Sequence, residues 1–239
     1  MTGLAQRLGN ALEVAVVILV DHYIAAWAVA LALLAGIVLP DMPLLRHTYI
    51  SFLFILVVLL WVKVRGEKWA GFGLIPLRAR YLAFGLLLAV ADVVLDSVVR
   101  SISTPLIVSW TGADPHLDAK AFAALTGNLP LLMMIVPVVW LFAAFGEEFL
   151  FRGYLLTRLG QVFGASSAAW GLAIVGQAAV FAFGHAYQGP VGMFPIFIGG
   201  ILSGVVSVIW GRNLWPVMVA HGLVDTLGFT VLYLGMPTS

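Results

Sequence analysis

The chemistry available to this 239-residue chain is concentrated in six side chains: Glu147, Glu148, Arg152, His185, His221 and Asp225. The stretch FGEEFLFRGY, residues 145–154, sets two carboxylates and a guanidinium among phenylalanine, leucine and tyrosine. Glu148 and Arg152 are four apart, on one helical face, and can pair. Glu147 points about 100° away around the helix and can face something else. His221 and Asp225 share a face at the same spacing, as do Phe181 and His185. A histidine and a carboxylate together can activate water as general base and acid. Alternatively, Glu147, His185, His221 and Asp225 can hold a divalent metal such as zinc, with one position open for water.

The elements that must position these groups are membrane helices. The chain is 62% hydrophobic and 10% charged, with a mean hydropathy of +1.08. Ordinary soluble domains carry about 25% charged residues, and a chain this poor in charge cannot cover a water-facing surface. The formal charge of +1 gives no pull toward nucleic acid, and the absence of cysteine excludes disulfides, thiolate nucleophiles and Cys-based zinc sites. Apolar runs long enough to span a bilayer lie at roughly 22–40, 48–64, 80–99, 129–157, 167–186, 193–211 and 214–235. The expected fold is therefore an all-α polytopic bundle of seven transmembrane helices, or eight if 3–20 also inserts. It forms one integral membrane domain over 1–239. Residues 2–20 read as a helix on or entering the membrane rather than a cleaved signal peptide, because Glu13 and Asp21 interrupt the apolar stretch. The polar interval 100–128, with Pro105, Gly112, Pro115 and Gly127, is expected to be a loop with one short helix.

Basic residues orient the bundle. Lys63, Arg65, Lys68, Arg78 and Arg80 mark the second connection as cytoplasmic, and alternation puts Arg7, Arg158 and Arg212 on the same side. Residues 100–128, with Asp114, His116, Asp118 and Lys120, face the other way, and the N-terminus is inside.

An ionisable residue inside a span is costly, roughly 2.5–3.5 kcal/mol at the helix centre on insertion scales, so it is paired, set in a cavity or functional. From helical rise, Glu147 lies roughly 16 Å from the end of its span near Arg158, and His221 roughly 13 Å beyond Arg212, so the segments can meet within the hydrocarbon layer. Each group has a plain structural explanation, such as an ion pair or interhelical clamp. Such explanations repeated across three helices are jointly unconvincing. Asp92 and Asp96 share a face without a nearby basic residue and are read as water-exposed or helix-bonded. Gly200, Ser203, Gly204 and Ser207 line one face and are read as a close-packing surface.

The segment from about 129 to 230 resembles the CPBP intramembrane proteases, the group that includes type II CAAX prenyl endopeptidases and bacteriocin-processing or immunity proteins. EExxxR matches Glu147-Glu148-Phe149-Leu150-Phe151-Arg152, FxxxH matches Phe181 to His185, and Hxxx(N or D) matches His221 to Asp225. The resemblance implies a helical membrane bundle with its site in a cavity opening toward one face of the membrane. It also implies that Glu147 activates water with help from His185. His221 and Asp225 would stabilise the oxyanion or orient water, and Glu148 and Arg152 would brace the site. The CAAX-cleaving branch has asparagine where this chain has Asp225. An ionised carboxylate would repel an oxyanion, so Asp225 is expected to be protonated, to orient His221 or to bind metal. The expectation is a bacterial inner-membrane endopeptidase acting on a membrane-associated protein or peptide within the lipid bilayer. Its hydrolysis is glutamate-dependent or metallo-type. A proton-coupled transporter and a catalytically silent immunity or binding protein are the alternatives, since Asp, Glu and His within spans also build proton relays.

Overall fold

A computed structural model describes residues 3–34, 55–116, 122–164 and 166–236, with backbone only for 19–34. Among these residues every regular element is helical. The main helices are α1 (Gly3–Leu34), α2 (Ile55–Val64), α3 (Ala79–Thr111), α4 (Leu129–Phe163), α5 (Ser167–Gly184), α6 (Gly189–Ile209) and α7 (Trp215–Tyr233). Of these, α3, α4, α5, α7 and the α6 segment beginning at Ala186 are long and apolar enough to cross a membrane. They correspond to the last five expected spans. The expected spans at 22–40 and 48–64 fall partly outside the described residues, as do Asp118 and Lys120. The chain is an integral membrane protein with five such helices among the described residues, and the expected total of seven or eight is not reached by them. A further difference lies at the N-terminus, where one helix runs from Gly3 through Asp21 to Leu34 with no break after residue 20.

The interval expected to be a loop from residue 100 is helical up to Thr111. The reason is a lipid-facing stripe that recurs every fourth residue: Leu82, Leu86, Val90, Val94, Val98, Ile102, Leu106 and Trp110 are all exposed. The hydroxyls that make this stretch look loop-like bond back into the helix. Ser101 donates to Val98 O and Ser109 to Leu106 O, each at 2.8 Å, and Thr111 donates to Ile107 O at 2.7 Å. Helix α3 ends at Gly112, whose φ of 67° is the left-handed conformation that glycine adopts without strain.

Helix α4 changes winding along its length. It starts as an ordinary helix at Leu129, with Asn128 accepting from Leu131 N as its cap, and Pro137 interrupts its amide ladder. From Trp140 to Leu155 it follows the wider i→i+5 pattern, then returns to α-helix through Phe163. Such wide turns are rare and concentrate at functional sites. Both glutamates and Arg152 lie in this segment. The wider coil turns less per residue, so Glu147 and Glu148 diverge by less than the angle expected for an α-helix.

Packing gives the bundle two distinct ends. At one end Arg158 on α4 bonds both oxygens of Glu67, at 2.7 and 2.9 Å, and its Nε lies 3.1 Å from Glu13 on α1. Arg65 pairs with Glu13 and Glu67, and Tyr154 donates to Glu13 at 3.0 Å. The connection after α2 also abuts the α6–α7 turn. Leu214 N donates to Gly73 O at 3.2 Å, and Trp215 Nε1 to Ile75 O at 2.6 Å. At the opposite end Gly127 N donates to Tyr233 O at 2.9 Å, joining the start of α4 to the end of α7.

Helices α5 and α6 meet through small residues. Gln177 Nε2 donates to Gly200 O at 2.8 Å, and a Cβ on Gly200 or Gly204 would press on Ala178, or on Gln177 and Ile174. The small-residue face is a packing surface, and two of its members, Gly200 and Ser203, also line a cavity.

Candidate active site

The three motif segments converge on one cavity of about 600 Å³. Glu147, Glu148 and Arg152 reach it from α4, His185 from the end of α5, and His221 and Asp225 from α7. All six residues singled out from the sequence line it. Their spacing in the chain, up to 78 positions between Glu147 and Asp225, is bridged by the packing of α7 on the wide-coil segment of α4. That packing depends on Gly222, where a Cβ would lie 2.7 Å from the Trp140 ring. Trp140 Nε1 donates to Thr226 Oγ1 at 3.0 Å and fixes the same crossing.

Four of the six residues form a continuous polar chain. Arg152 Nη1 donates to Glu148 Oε1 at 3.0 Å, and the same oxygen lies 2.8 Å from His221 Nδ1. On its other side, His221 Nε2 is 3.4 Å from Asp225 Oδ2. Exposure rises along the chain: the Glu148 and Arg152 side chains are each 2% exposed, His221 17% and Asp225 29%. Glu148 Oε1 therefore serves both Arg152 and His221, and Asp225 faces the imidazole on its more exposed side.

Phe181 organises the other half of the site. The Arg152 guanidinium lies 4.2 Å from the centre of its ring, a buried cation–π contact. The His185 ring is 4.7 Å from it and the His221 ring 6.3 Å, both tilted steeply to its plane. His185 Nδ1 is 2.9 Å from Phe181 O. A carbonyl oxygen only accepts, so Nδ1 carries the hydrogen and a neutral ring keeps its lone pair on Nε2. The Phe181–His185 spacing thus fixes a tautomer as well as a position. From the sequence only the shared helical face was legible; the aromatic platform under Arg152 was not.

Glu147 differs from its neighbour in making no hydrogen bond or ion pair among the described residues; it is 8% exposed, and its Oε2, like Glu148 Oε2, is buried without a hydrogen-bond partner among them. An acceptor of this kind is expensive to leave unsatisfied, and Glu147 is the carboxylate of the pair that can receive a donor from the cavity on both oxygens.

Two further features enter from α3. Asp92 and Asp96 line the same cavity. Contrary to the expectation of no basic neighbour, Arg100 Nε donates to both oxygens of Asp96, at 3.0 and 2.8 Å. This i,i+4 partner lay hidden because residue 100 was assigned to a loop. Asp92 approaches Gly199 on α6, where a Cβ would stand 3.4 Å from Oδ1.

The donor set does not assemble a metal site. Among the described residues no group of three or more His, Asp or Glu side chains converges to hold an ion. Glu147, His185, His221 and Asp225 share the cavity, but both His221 nitrogens face carboxylates.

Residues 129–227 match the family model described as type II CAAX prenyl endopeptidase Rce1-like. The matched segment carries all three motifs and agrees with the CPBP resemblance. Comparison with curated proteins and with solved structures finds no match.

Proposed function

We propose that the protein is a membrane-embedded endopeptidase that hydrolyses a peptide bond of a membrane-associated protein or peptide, with Glu147 as the base that activates water. The single observation that carries this reading is the Glu147 carboxylate, without a hydrogen bond or ion pair among the described residues, in a cavity that also receives His185 and the Arg152–Glu148–His221–Asp225 chain. The match to the Rce1-like family model over the same residues supports the protease class.

In the proposed step, water is positioned between Glu147 Oε2 and His185 Nε2, and Glu147 takes one of its protons. The resulting hydroxide oxygen attacks the substrate carbonyl carbon, and the C=O electron pair moves onto oxygen. His221, doubly protonated between two carboxylates, donates to that oxyanion from Nε2, the nitrogen held more loosely, at 3.4 Å from Asp225 against 2.8 Å for Nδ1 and Glu148. Protonated Glu147 then delivers its proton to the amide nitrogen as the C–N bond breaks, leaving a carboxylic acid and an amine. Burial strengthens each of these electrostatic interactions, since water does not screen them. No step requires a metal, and the glutamate-dependent form is the one we propose. Asp225 is read as the group that orients His221. The asparagine typical of the CAAX-cleaving branch is absent, so a prenylated substrate is not part of the proposal.

A proton-coupled carrier is the second reading, favoured by one observation: Asp92 and Asp96 on α3 add carboxylates to the same cavity. Purified protein incubated with a library of membrane-protein peptides, with new termini identified by mass spectrometry, tests the proposal. Cleavage by the wild type and none by Glu147→Gln is expected. Proton-coupled flux in proteoliposomes without any cleavage would favour the carrier.

A further inference from the structure

A second concave surface lies where α2, the connection after it, α4 and the start of α7 meet. It is an open groove of about 550 Å³ that shares no lining residue with the active-site cavity. Leu59 and Leu60 come from α2, Leu74 and Ile75 from the connection, and Phe145 from α4. Trp69 and Trp215 complete the apolar lining, and both indoles are held in place. Trp215 Nε1 donates to Ile75 O at 2.6 Å, and the Trp69 ring packs 5.9 Å from that of Phe149. The groove is therefore built into the packing of the bundle.

Its one ionisable lining residue is Lys63, and Lys68 immediately precedes Trp69. Both lysines are exposed, and neither ammonium makes a hydrogen bond or ion pair among the described residues. The nearby carboxylate of Glu67 is engaged by Arg65 at 2.8 Å and by Arg158 at 2.7 Å, so it does not neutralise them. An apolar groove on a membrane protein faces acyl chains, and indoles settle at the level of the lipid headgroups. Basic side chains at that level attract anionic headgroups.

We infer that this groove is a binding site for an anionic phospholipid, with an acyl chain against Leu59, Leu60 and Phe145 and the headgroup facing Lys63 and Lys68. The charge of the two free lysines selects an anionic over a zwitterionic lipid. The site backs onto the wide-coil segment of α4. Phe145 precedes Gly146 and Glu147, and Gly146 packs so closely on α2 that a Cβ there would collide with the Ile55 side chain.

The test uses the full chain in phosphatidylcholine vesicles. Tryptophan quenching by phosphatidylglycerol with brominated acyl chains is compared with quenching by brominated phosphatidylcholine at the same share of the lipid. Each lysine near the headgroup favours the anionic lipid by about fivefold, so phosphatidylglycerol should quench more strongly. That excess should fall in Trp69→Phe and stay in Trp110→Phe, which removes an exposed indole outside the lining. Lys63→Gln combined with Lys68→Gln should abolish it, and the paired Lys→Arg changes at these two positions should keep it. Arg7→Gln combined with Arg80→Gln removes as much positive charge from residues outside the lining and should also keep it. Equal quenching by the two lipids in the wild type overturns the inference. So does an excess that survives the loss of both lysines or of Trp69. An excess lost equally in the Arg7 and Arg80 variant overturns it as well, because the attraction then belongs to overall charge and not to the groove. The readout needs no catalysis, so it stands apart from the protease reading.

Discussion

Glu148 and His221, 73 positions apart in the chain, are joined by a 2.8 Å contact between Oε1 and Nδ1 in a region from which solvent is nearly excluded. Because the same oxygen accepts from Arg152, Glu148 is a structural anchor that holds an imidazole and a guanidinium in register. In the proposed mechanism the adjacent Glu147, which makes no hydrogen bond or ion pair among the described residues, is the carboxylate left for chemistry. Two neighbouring glutamates of identical chemistry therefore have opposite sensitivities.

Glu148→Gln keeps the side-chain volume but leaves Arg152 buried without a carboxylate. Breaking a buried pair in this way costs about 3–5 kcal/mol. Thermal unfolding in detergent should show a clear drop in midpoint for Glu148→Gln and little change for Glu147→Gln. Equal stability of the two variants would contradict the division of roles.

Phe181→Leu conserves an apolar side chain but removes the ring beneath Arg152 and beside His185. A desolvated cation–π contact is worth about 2 kcal/mol. The expected result is a lower kcat with KM little changed, because the residue positions reacting groups and does not bind substrate itself. A change confined to KM would argue for direct substrate contact instead.

Gly222→Ala should push α7 away from Trp140 and displace His221, its immediate neighbour. Overpacking of this kind costs about 1–3 kcal/mol. Gly228→Ala on the same helix is the control, since its Cβ would meet nothing within 4 Å. Activity and thermal midpoint should fall together for the first and stay near wild type for the second. Indistinguishable variants would mean that the α4–α7 crossing is not set at Gly222.

Strong chelation should leave cleavage undiminished, since the donors form no three-ligand cluster among the described residues. Loss of activity on chelation, restored by added zinc, would instead require Glu147, His185, His221 and Asp225 to rearrange around an ion.

What could be read in the sequence follows the range of the interactions. The Glu148–Arg152 pair is an i,i+4 relationship, visible wherever the helix is recognised, and it survives the change to wide-coil winding because the two residues remain about one turn apart. The wide coil itself has no signature in the apolar pattern. The Glu148–His221 contact is long-range and was legible only as a convergence of depths. Asp92 was judged by its own helix, whereas its place in the cavity comes from the packing of α3 on α6 and α7. Arg100 was misjudged because Pro105 and the Ser/Thr residues around it suggest a loop. In the structure those hydroxyls bond to the preceding turn, and the four-residue lipid-facing stripe continues to Trp110.

The most direct measurement is a comparison of protein termini in membranes of cells carrying the wild type or Glu147→Gln at equal expression. General acid–base groups contribute roughly 10²–10⁴-fold, so a set of termini present with the wild type should vanish with the variant and identify the substrate. Identical termini in the two samples, with both proteins folded and inserted, would contradict Glu147-dependent proteolysis.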